Sequence, residues 1–481
     1  MSNMKSTKII VVDLDGTLTF SDTLYESIIA LFRNKPFLIF NLPLWLAKGI
    51  AYLKLKVAEN CVLNVESLPY NLRLINWLKE QKANGKKIIL CTGANVQIAK
   101  AIAANLNLFS DVIASDENTN LTNVNKRDVL QERFGVRGYD YVGNSKADLE
   151  VWSSALHGIV VNDSISFQHK VMQVTSVSRT FSSESVSILD WGKAIRLHQW
   201  LKNLLLFVPL LATHHLINIQ SFVTLMIAFV SFSLCASSIY IINDLLDLES
   251  DRSHPLKRYR PFASAKLPIL MGLMIAPLLI FSSILLGMIV GKNFLAILLL
   301  YFILAAAYSI AIKRIVLVDC LTLATLYTIR IIAGAIALSL SLSFWLLSFS
   351  VFIFFSLALV KRYAELMTQL KASKSGADGR GYTIQDKPLL QIFGVSSGYI
   401  STLVIALYMR SEEVMTLYRH PKVIWFVLPA LLFWISWMWY KASIGKMQED
   451  PIIFAINDKA SILVALFIAI LYVFASIGIG I

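Results

Sequence analysis

Charged residues are scarce in this chain. Asp, Glu, Lys and Arg make up 16% of the 481 residues, against 56% hydrophobic ones, where a soluble globular chain carries about 25% charged residues. With a mean hydropathy of +0.63, this excludes disorder and argues against a wholly soluble protein. Residues 1–8 lack the apolar core of an export signal, so the first half is expected to stay in the cytoplasm. There are only four cysteines (Cys61, Cys91, Cys235, Cys320) and no C-x-x-C pair. Neither a disulfide framework nor a zinc site is implied. Acidic charge is thinnest in the second half. Residues 1–190 hold 20 Lys+Arg against 18 Asp+Glu, a net +2, whereas residues 191–481 hold 24 against 13, a net +11. A basic excess in the more apolar half points to a membrane surface and phosphate ligands, and to no nucleic-acid partner.

Two parts follow from this asymmetry: an α/β domain over residues 1–175 and a helical membrane domain over residues 191–481. A Ser/Thr-rich stretch, 176–190, reads as a linker. Nine apolar segments lie near 203–217, 221–242, 268–290, 293–312, 315–338, 343–360, 391–409, 421–440 and 460–480. Most reach the roughly 20 residues that cross a bilayer, and the first is the shortest. Loops 243–267 and 361–390 are rich in Lys and Arg, while 212–220 and 339–343 have none. The positive-inside rule places the rich loops and the first domain on the cytoplasmic side, with the C-terminus outside.

Lys8-Ile9-Ile10-Val11-Val12 predicts a strand that runs into Asp13-Leu14-Asp15-Gly16-Thr17. Carboxylates two apart at a strand's end face the crevice of an open α/β sheet, where they can hold Mg²⁺ and one can attack phosphorus. A second strand ends in Thr92-Gly93, a hydroxyl followed by free backbone N–H groups, suited to a phosphoryl group. Lys126 follows on a polar stretch, then a third strand ends in Gly143-Asn144-Ser145 with Asp148 beyond. Together these motifs, over residues 5–170, resemble the haloacid dehalogenase superfamily. The resemblance implies a Rossmann-like domain with a small helical cap, here about residues 21–68. It makes Asp13 the nucleophile, Asp15 the general acid/base, Thr92 and Gly93 the phosphoryl cradle and Lys126 its counter-charge. Asp13, Asp15, Asn144 and Asp148 become the Mg²⁺ ligands. Asn144 stands where the superfamily usually has a carboxylate, so the metal is expected to be held more weakly. The apolar run 36–55 within the cap reads as cap core, with contact to a membrane as the alternative.

In the second half, Asn243, Asp247 and Asp251 recur every four residues, with Asp244 beside them. That spacing predicts one helical face. Like charges stacked there repel unless a cation sits among them, and Mg²⁺ on a diphosphate is a natural occupant. A basic stretch with His254, Lys257, Arg258 and Arg260 follows at once. Together the two resemble the UbiA superfamily of intramembrane prenyltransferases, an all-α nine-helix fold, over residues 191–480. The later loop begins Lys361-Arg362-Tyr363-Ala364-Glu365 and lacks the second aspartate-rich motif of members that use prenyl diphosphates. The sequences around Gln199-Trp200-Leu201-Lys202-Asn203, around His254, and from Tyr308 to Lys313 are similar to polyprenyl-phosphate phosphoribosyltransferases, a branch serving cell-wall arabinan synthesis. Arg330, inside the fifth apolar segment, can share a face with Asp319 eleven residues earlier.

The resemblances imply a multi-pass membrane transferase with Mg²⁺ as cofactor. It would move 5-phosphoribosyl from a diphosphate-bearing donor to a polyprenyl phosphate in the membrane. Asn243, Asp244, Asp247 and Asp251 would hold the metal. His254, Lys257, Arg258 and Arg260 would bind phosphate, with Lys202, Tyr308, Lys313, Arg330, Lys361 and Arg362 as further substrate contacts. The first domain would remove the ribose 5-phosphate. A prenyltransferase acting from a prenyl diphosphate is the alternative.

Overall fold

The computed structural model describes residues 8–117, 119–182, 186–212, 219–371, 381–411, 418–447 and 450–477. The chain divides into two compact units: Met1–Ile195 with Tyr240–Ala276, and Arg196–Ile239 with Pro277–Ile481.

Six parallel strands form the sheet of the first unit: β1 (Ile9–Val12), β2 (Lys87–Asn95), β3 (Asp111–Ser115), β4 (Asp140–Gly143), β5 (His157–Val161) and β6 (Ser176–Phe181), in the order β3-β2-β1-β4-β5-β6. The four inner strands are mostly apolar without alternation because both faces are covered. Ile10 and Val12 join Ile88, Leu90 and Val142 on one face, and Val11 joins Ile89, Cys91 and Tyr141 on the other. The chain winds outward from β1 to β3, then returns to place β4 on β1's free side. This reversal opens a crevice at the C-terminal ends of β1 and β4. Both predicted metal-site segments, after β1 and after β4, start there.

The stretch expected as a linker instead supplies the edge strand β6, paired in parallel with β5. Its alternation, Ser176-Val177-Ser178-Arg179-Thr180-Phe181, suits an edge with one packed face. Phe181 packs on Trp77 at 5.6 Å between ring centroids. After residues 183–185, which lie outside the described residues, a helix spans Ile188–Ala194.

Between β1 and β2 lies the helical cap: Thr23–Asn34, a 3₁₀ stretch Pro36–Asn41, Leu42–Ala47 and Ile50–Asn60. Asp22 caps its first helix, accepting from the Leu24 N–H at 2.8 Å. The run 36–55 forms the cap core only in part. Leu53 joins Leu31 and Val57 in that core, with Leu38, Leu42 and Trp45 packed against it, while Phe37, Phe40 and Leu44 are 84%, 75% and 66% exposed.

Eight helices of the described residues are long and apolar enough to cross a membrane: Ile219–Leu246, Ile269–Val290, Lys292–Ile310, Val318–Ala337, Phe344–Leu370, Ile384–Tyr408, Pro421–Ser443 and Lys459–Ser476. The first of the nine expected segments is built differently. It begins as a 3₁₀ stretch, Leu197–Phe207, followed by a short helix, Val208–Ala212, and residues 213–218 lie outside the described residues. The 3₁₀ stretch packs on Val318–Ala337 at Gly334, where a Cβ would stand 2.0 Å from the Leu206 carbonyl oxygen. Only glycine admits that approach.

Candidate active sites

The crevice after β1 and β4 is a cavity of about 460 Å³ lined by Asp13, Asp15, Lys126 and Asn144 among others. The Asp13 N–H donates to the Val142 carbonyl at 3.0 Å, pinning its backbone to β4. Lys126 Nζ donates to Asp13 Oδ1 at 2.6 Å and to Tyr141 Oη at 3.1 Å. Burial pushes the Asp13 carboxyl up to about 6 against the pull of Lys126. Burial, with Asp22 nearby, pushes Asp15 up to about 7. Burial alone would lower the Lys126 ammonium, but the carboxylates of Asp13 and Asp148 outweigh it and hold it above the ordinary lysine value. Gly16 lies at φ +73°, and a Cβ there would meet Asn144 Nδ2 at 2.1 Å. Glycine therefore lets the Asp13–Thr17 turn close against the β4 loop.

Not every expected ligand is presented alike. Asp148 has both oxygens occupied: Oδ1 accepts from Tyr141 Oη at 2.7 Å, and Oδ2 from the Asn144 and Ser145 N–H groups at 3.1 and 3.0 Å. It acts as a brace for the loop, not as an open ligand. Asp15 Oδ1 accepts from the Thr23 N–H at 2.8 Å. Thr92 is fully buried, its Oγ1 accepting from the Ala94 N–H at 3.0 Å, whereas Gly93 lines the cavity. Among the described residues no three His, Cys, Asp or Glu side chains gather closely enough to hold a metal ion. Asn144 Oδ1, however, is a buried oxygen without a hydrogen-bond donor. A neutral oxygen left unsatisfied beside two carboxylates is the chemistry of an octahedral Mg²⁺ site completed by water. Asp13, Asp15 and Asn144 fit that group.

The acidic motif of the second half belongs to the first unit. Its helical face is interrupted at Asp247, where Ile219–Leu246 ends and Leu248–Ser253 begins. The helical i→i−4 bonds nevertheless continue through it, Asp247 N–H to Asn243 and Asp251 N–H to Asp247, so Asp244 and Asp251, seven residues apart and both buried, lie on one face. Arg260 Nη1 bridges them, at 3.1 Å from Asp244 Oδ1 and 2.6 Å from Asp251 Oδ2. Burial raises the Asp251 carboxyl, against the pull of Arg260. A guanidinium thus stands in for a cation between two carboxylates, which fits a divalent metal competing for the same place. His254 serves the turn, its Nδ1 accepting from the Leu256 and Lys257 N–H groups at 3.2 and 3.3 Å. Arg258 donates to Tyr259 Oη at 2.8 Å.

In the second unit the expected cations sit in buried networks. Lys202 Nζ and Lys361 Nζ both reach Asp450 Oδ2, at 2.6 and 3.1 Å. Burial alone would raise the Asp450 carboxyl, but Lys361 and Lys202 outweigh it and hold it well below the usual carboxylate range. Asp319 does not pair with Arg330. Its partners are Arg362 Nε and Tyr382 Oη, each at 2.5 Å, and Arg362 also reaches Tyr308 Oη at 2.7 Å and Glu365 Oε2 at 2.7 Å. Arg330 donates to Asn203 Oδ1 at 2.8 Å, Tyr301 Oη at 2.9 Å and the Leu326 carbonyl. Lys313 stands in the 3₁₀ turn Ile312–Arg314.

The sequence profile of the UbiA prenyltransferase family matches residues 204–457, over half of the chain. This chain belongs to the UbiA prenyltransferase family. Protein y4nM of Sinorhizobium fredii is 34% identical over 469 residues, which is 97% of this chain and 90% of that protein. The decaprenyl-phosphate phosphoribosyltransferase of Mycolicibacterium smegmatis is 32% identical over 292 residues, 58% of this chain and 88% of that protein. A solved UbiA homolog from Archaeoglobus fulgidus, bound to DMAPP and Mg²⁺, overlays 60% of this chain and 99% of that one, with 16% identity and a TM-score of 0.46. The first unit pairs a parallel sheet with a helical cap and a crevice at the ends of β1 and β4, and its residues 240–276 fall within the UbiA match.

Several polar residues of this UbiA chain had no signal in the sequence. Lys54, on the cap helix Ile50–Asn60, lines the cavity and donates to the Gly93 carbonyl at 2.6 Å and to Asn120 Oδ1 at 2.9 Å. Tyr141 links Lys126 to Asp148 from the middle of an apolar strand. Asp450, 248 residues from Lys202, has no motif around it.

Proposed function

We propose that the protein transfers a 5-phosphoribosyl group from a ribosyl diphosphate donor to a polyprenyl phosphate, and that its first unit then removes the 5-phosphate as a haloacid dehalogenase-type phosphatase. The observation that carries the first part is the Asp244–Arg260–Asp251 cluster, a single buried acidic pair with a competing cation. Phosphoribosyltransferases of polyprenyl phosphate are among the relatives, and the later loop has no second aspartate motif. The y4nM likeness runs through both halves, which supports a joint task.

Asn243, Asp244, Asp247 and Asp251 would hold Mg²⁺, which neutralises the leaving diphosphate. Arg260, released from the carboxylates, would then meet a phosphate oxygen, and Lys257 and Arg258 would hold the remaining phosphate charge. Lys202 and Arg330, both buried, and Lys361, partly exposed, are cations for the acceptor phosphate. In the first unit, Asp13 attacks phosphorus while Lys126 neutralises the transferring oxygens. Asp15, buried and with a raised proton affinity, gives its proton to the leaving alkoxide and then takes one from the water that hydrolyses the aspartyl-phosphate. The first unit and the basic loops lie on the cytoplasmic side.

The test supplies purified protein in liposomes with Mg²⁺, polyprenyl phosphate and phosphoribosyl pyrophosphate carrying label in the ribose. Label should enter the lipid without the 5-phosphate in wild type, and with it in Asp13→Asn. Asp244→Asn should lose transfer. Absence of label from the lipid refutes the phosphoribosyl reading and leaves prenyl diphosphates to be tried.

A further inference from the structure

The phosphatase cavity has a wall that the motifs do not supply. Opposite the catalytic side chains it is lined by Leu267, Pro268, Ile269 and Leu270, residues from the segment that follows the acidic motif. Those residues are held in place by a built turn. Leu267 N–H donates to the Pro261 carbonyl at 3.0 Å, Ala265 N–H to the Phe262 carbonyl at 3.1 Å, and Ala265 takes a left-handed φ of 58°. A buried fork fixes the turn to the phosphatase. Arg252 Nη2 and Nη1 reach the two Glu26 oxygens at 2.5 and 3.2 Å, while its Nε donates to the Ala263 carbonyl at 2.9 Å. Side-chain exposure is 9% for Arg252 and 5% for Glu26. A bidentate guanidinium–carboxylate pair sets orientation as well as proximity.

We propose that Leu267–Leu270 form the leaving-group wall of this cavity, so that the phosphatase selects phosphomonoesters on a lipid-linked carrier over free soluble ones. This rests on the phosphatase reading above and adds its substrate class. A phosphoryl group occupies only the polar end, at Asp13, Lys126 and Asn144, and a cavity of about 460 Å³ leaves room for a sugar and part of its substituent. The wall beyond is apolar and does not end at the cavity. Ile269 and Leu270 open the helix Ile269–Val290, a candidate membrane span, whose next turns expose Met271, Met274 and Leu278. A leaving group resting on Leu270 therefore lies at the start of a helix that runs into lipid. A soluble ester gains nothing from such a surface.

The experiment uses the full chain in detergent micelles with Mg²⁺ and two probes, ribose 5-phosphate and a dodecyl riboside 5-phosphate. Phosphate release gives kcat/KM for each. The wild type should favour the alkylated ester by about tenfold or more, the effect of burying two or so methylenes. Leu270→Asn, at a position 39% exposed, should cut that ratio to about threefold or less, at an unchanged melting temperature. The same micelles serve both proteins, so partition of the alkyl probe cancels between them. Equal kcat/KM for the two probes in wild type, or a ratio untouched by Leu270→Asn, overturns the wall. Hydrolysis of neither probe overturns the phosphatase reading itself.

Discussion

If the first unit acts as proposed, Asn144 sets how tightly it grips a divalent cation. Its amide oxygen is the unsatisfied atom of the cavity, and a carboxylate there would add a full negative charge at the same reach. Asn144→Asp should lower the half-saturating Mg²⁺ concentration of phosphate release by roughly tenfold, since one added charge a few ångströms from a cation outweighs the extra desolvation. A Mg²⁺ titration of both proteins reads this directly. Asp450 poses the opposite problem, for it is the common acceptor of Lys202 and Lys361. Removing its charge with Asp450→Asn strands two cations and should cost about 3–5 kcal/mol of stability, seen as a lowered unfolding midpoint in detergent. The pH sign follows from its depressed carboxyl. The stabilisation is present above the ordinary aspartate value and is lost as pH falls below it. Wild type should therefore lose stability below about pH 4, and Asp450→Asn should lose less over the same range. Nothing at residue 450 announces this, because its partners are set by tertiary packing and not by local spacing.

At the level of elements, the readable parts are those where chain period and chemistry coincide. The strand before Asp13 and the one before Thr92 are apolar runs ended by polar loops, and both appear as β1 and β2. The Ser/Thr-rich stretch was misread as linker because an edge strand needs only one packed face, and its other face resembles a solvated loop. The i,i+4 spacing picks out Asn243, Asp247 and Asp251, whereas the pair that Arg260 bridges is seven apart, Asp244 and Asp251, which 3.6 residues per turn also bring to one face. The first apolar segment looked too short to cross. Eleven residues of 3₁₀ helix at about 2.0 Å each, then five α-helical ones at about 1.5 Å, reach roughly 30 Å, close to the hydrocarbon thickness. The Arg252–Glu26 fork joins two elements far apart in sequence, and no pattern foretells it. Glu26→Ala leaves a buried guanidinium unpaired and should destabilise the first unit by about 3–5 kcal/mol. The same variant frees the 260–270 turn, so protease cleavage within residues 254–268 should quicken relative to wild type.

For the whole molecule, division by compactness does not follow division by sequence. Residues 240–276, from the membrane half, belong with the unit that holds the parallel sheet. The charge asymmetry read from composition locates the basic loops, but it is silent on which structural unit takes them up. The family is legible from residues 243–260 alone, whereas the second unit's buried networks, Arg330 with Asn203 and Arg362 with Asp319, emerge only once helices distant in the chain lie side by side.

The packing of Leu206 against Gly334 has a bearing on how the chain is made. A 3₁₀ stretch leaves backbone groups poorly paired, and hydrocarbon does not tolerate that without partners. Its closest one, the glycine face of Val318–Ala337, is synthesised long after residues 197–207 leave the ribosome. The 197–212 segment can therefore reach its final packing only after residue 334 has emerged. A block at that position, as in Gly334→Val, should leave the later helices inserted and the 197–212 segment unseated. Quicker protease cleavage within residues 197–212 would then report the loss of that packing.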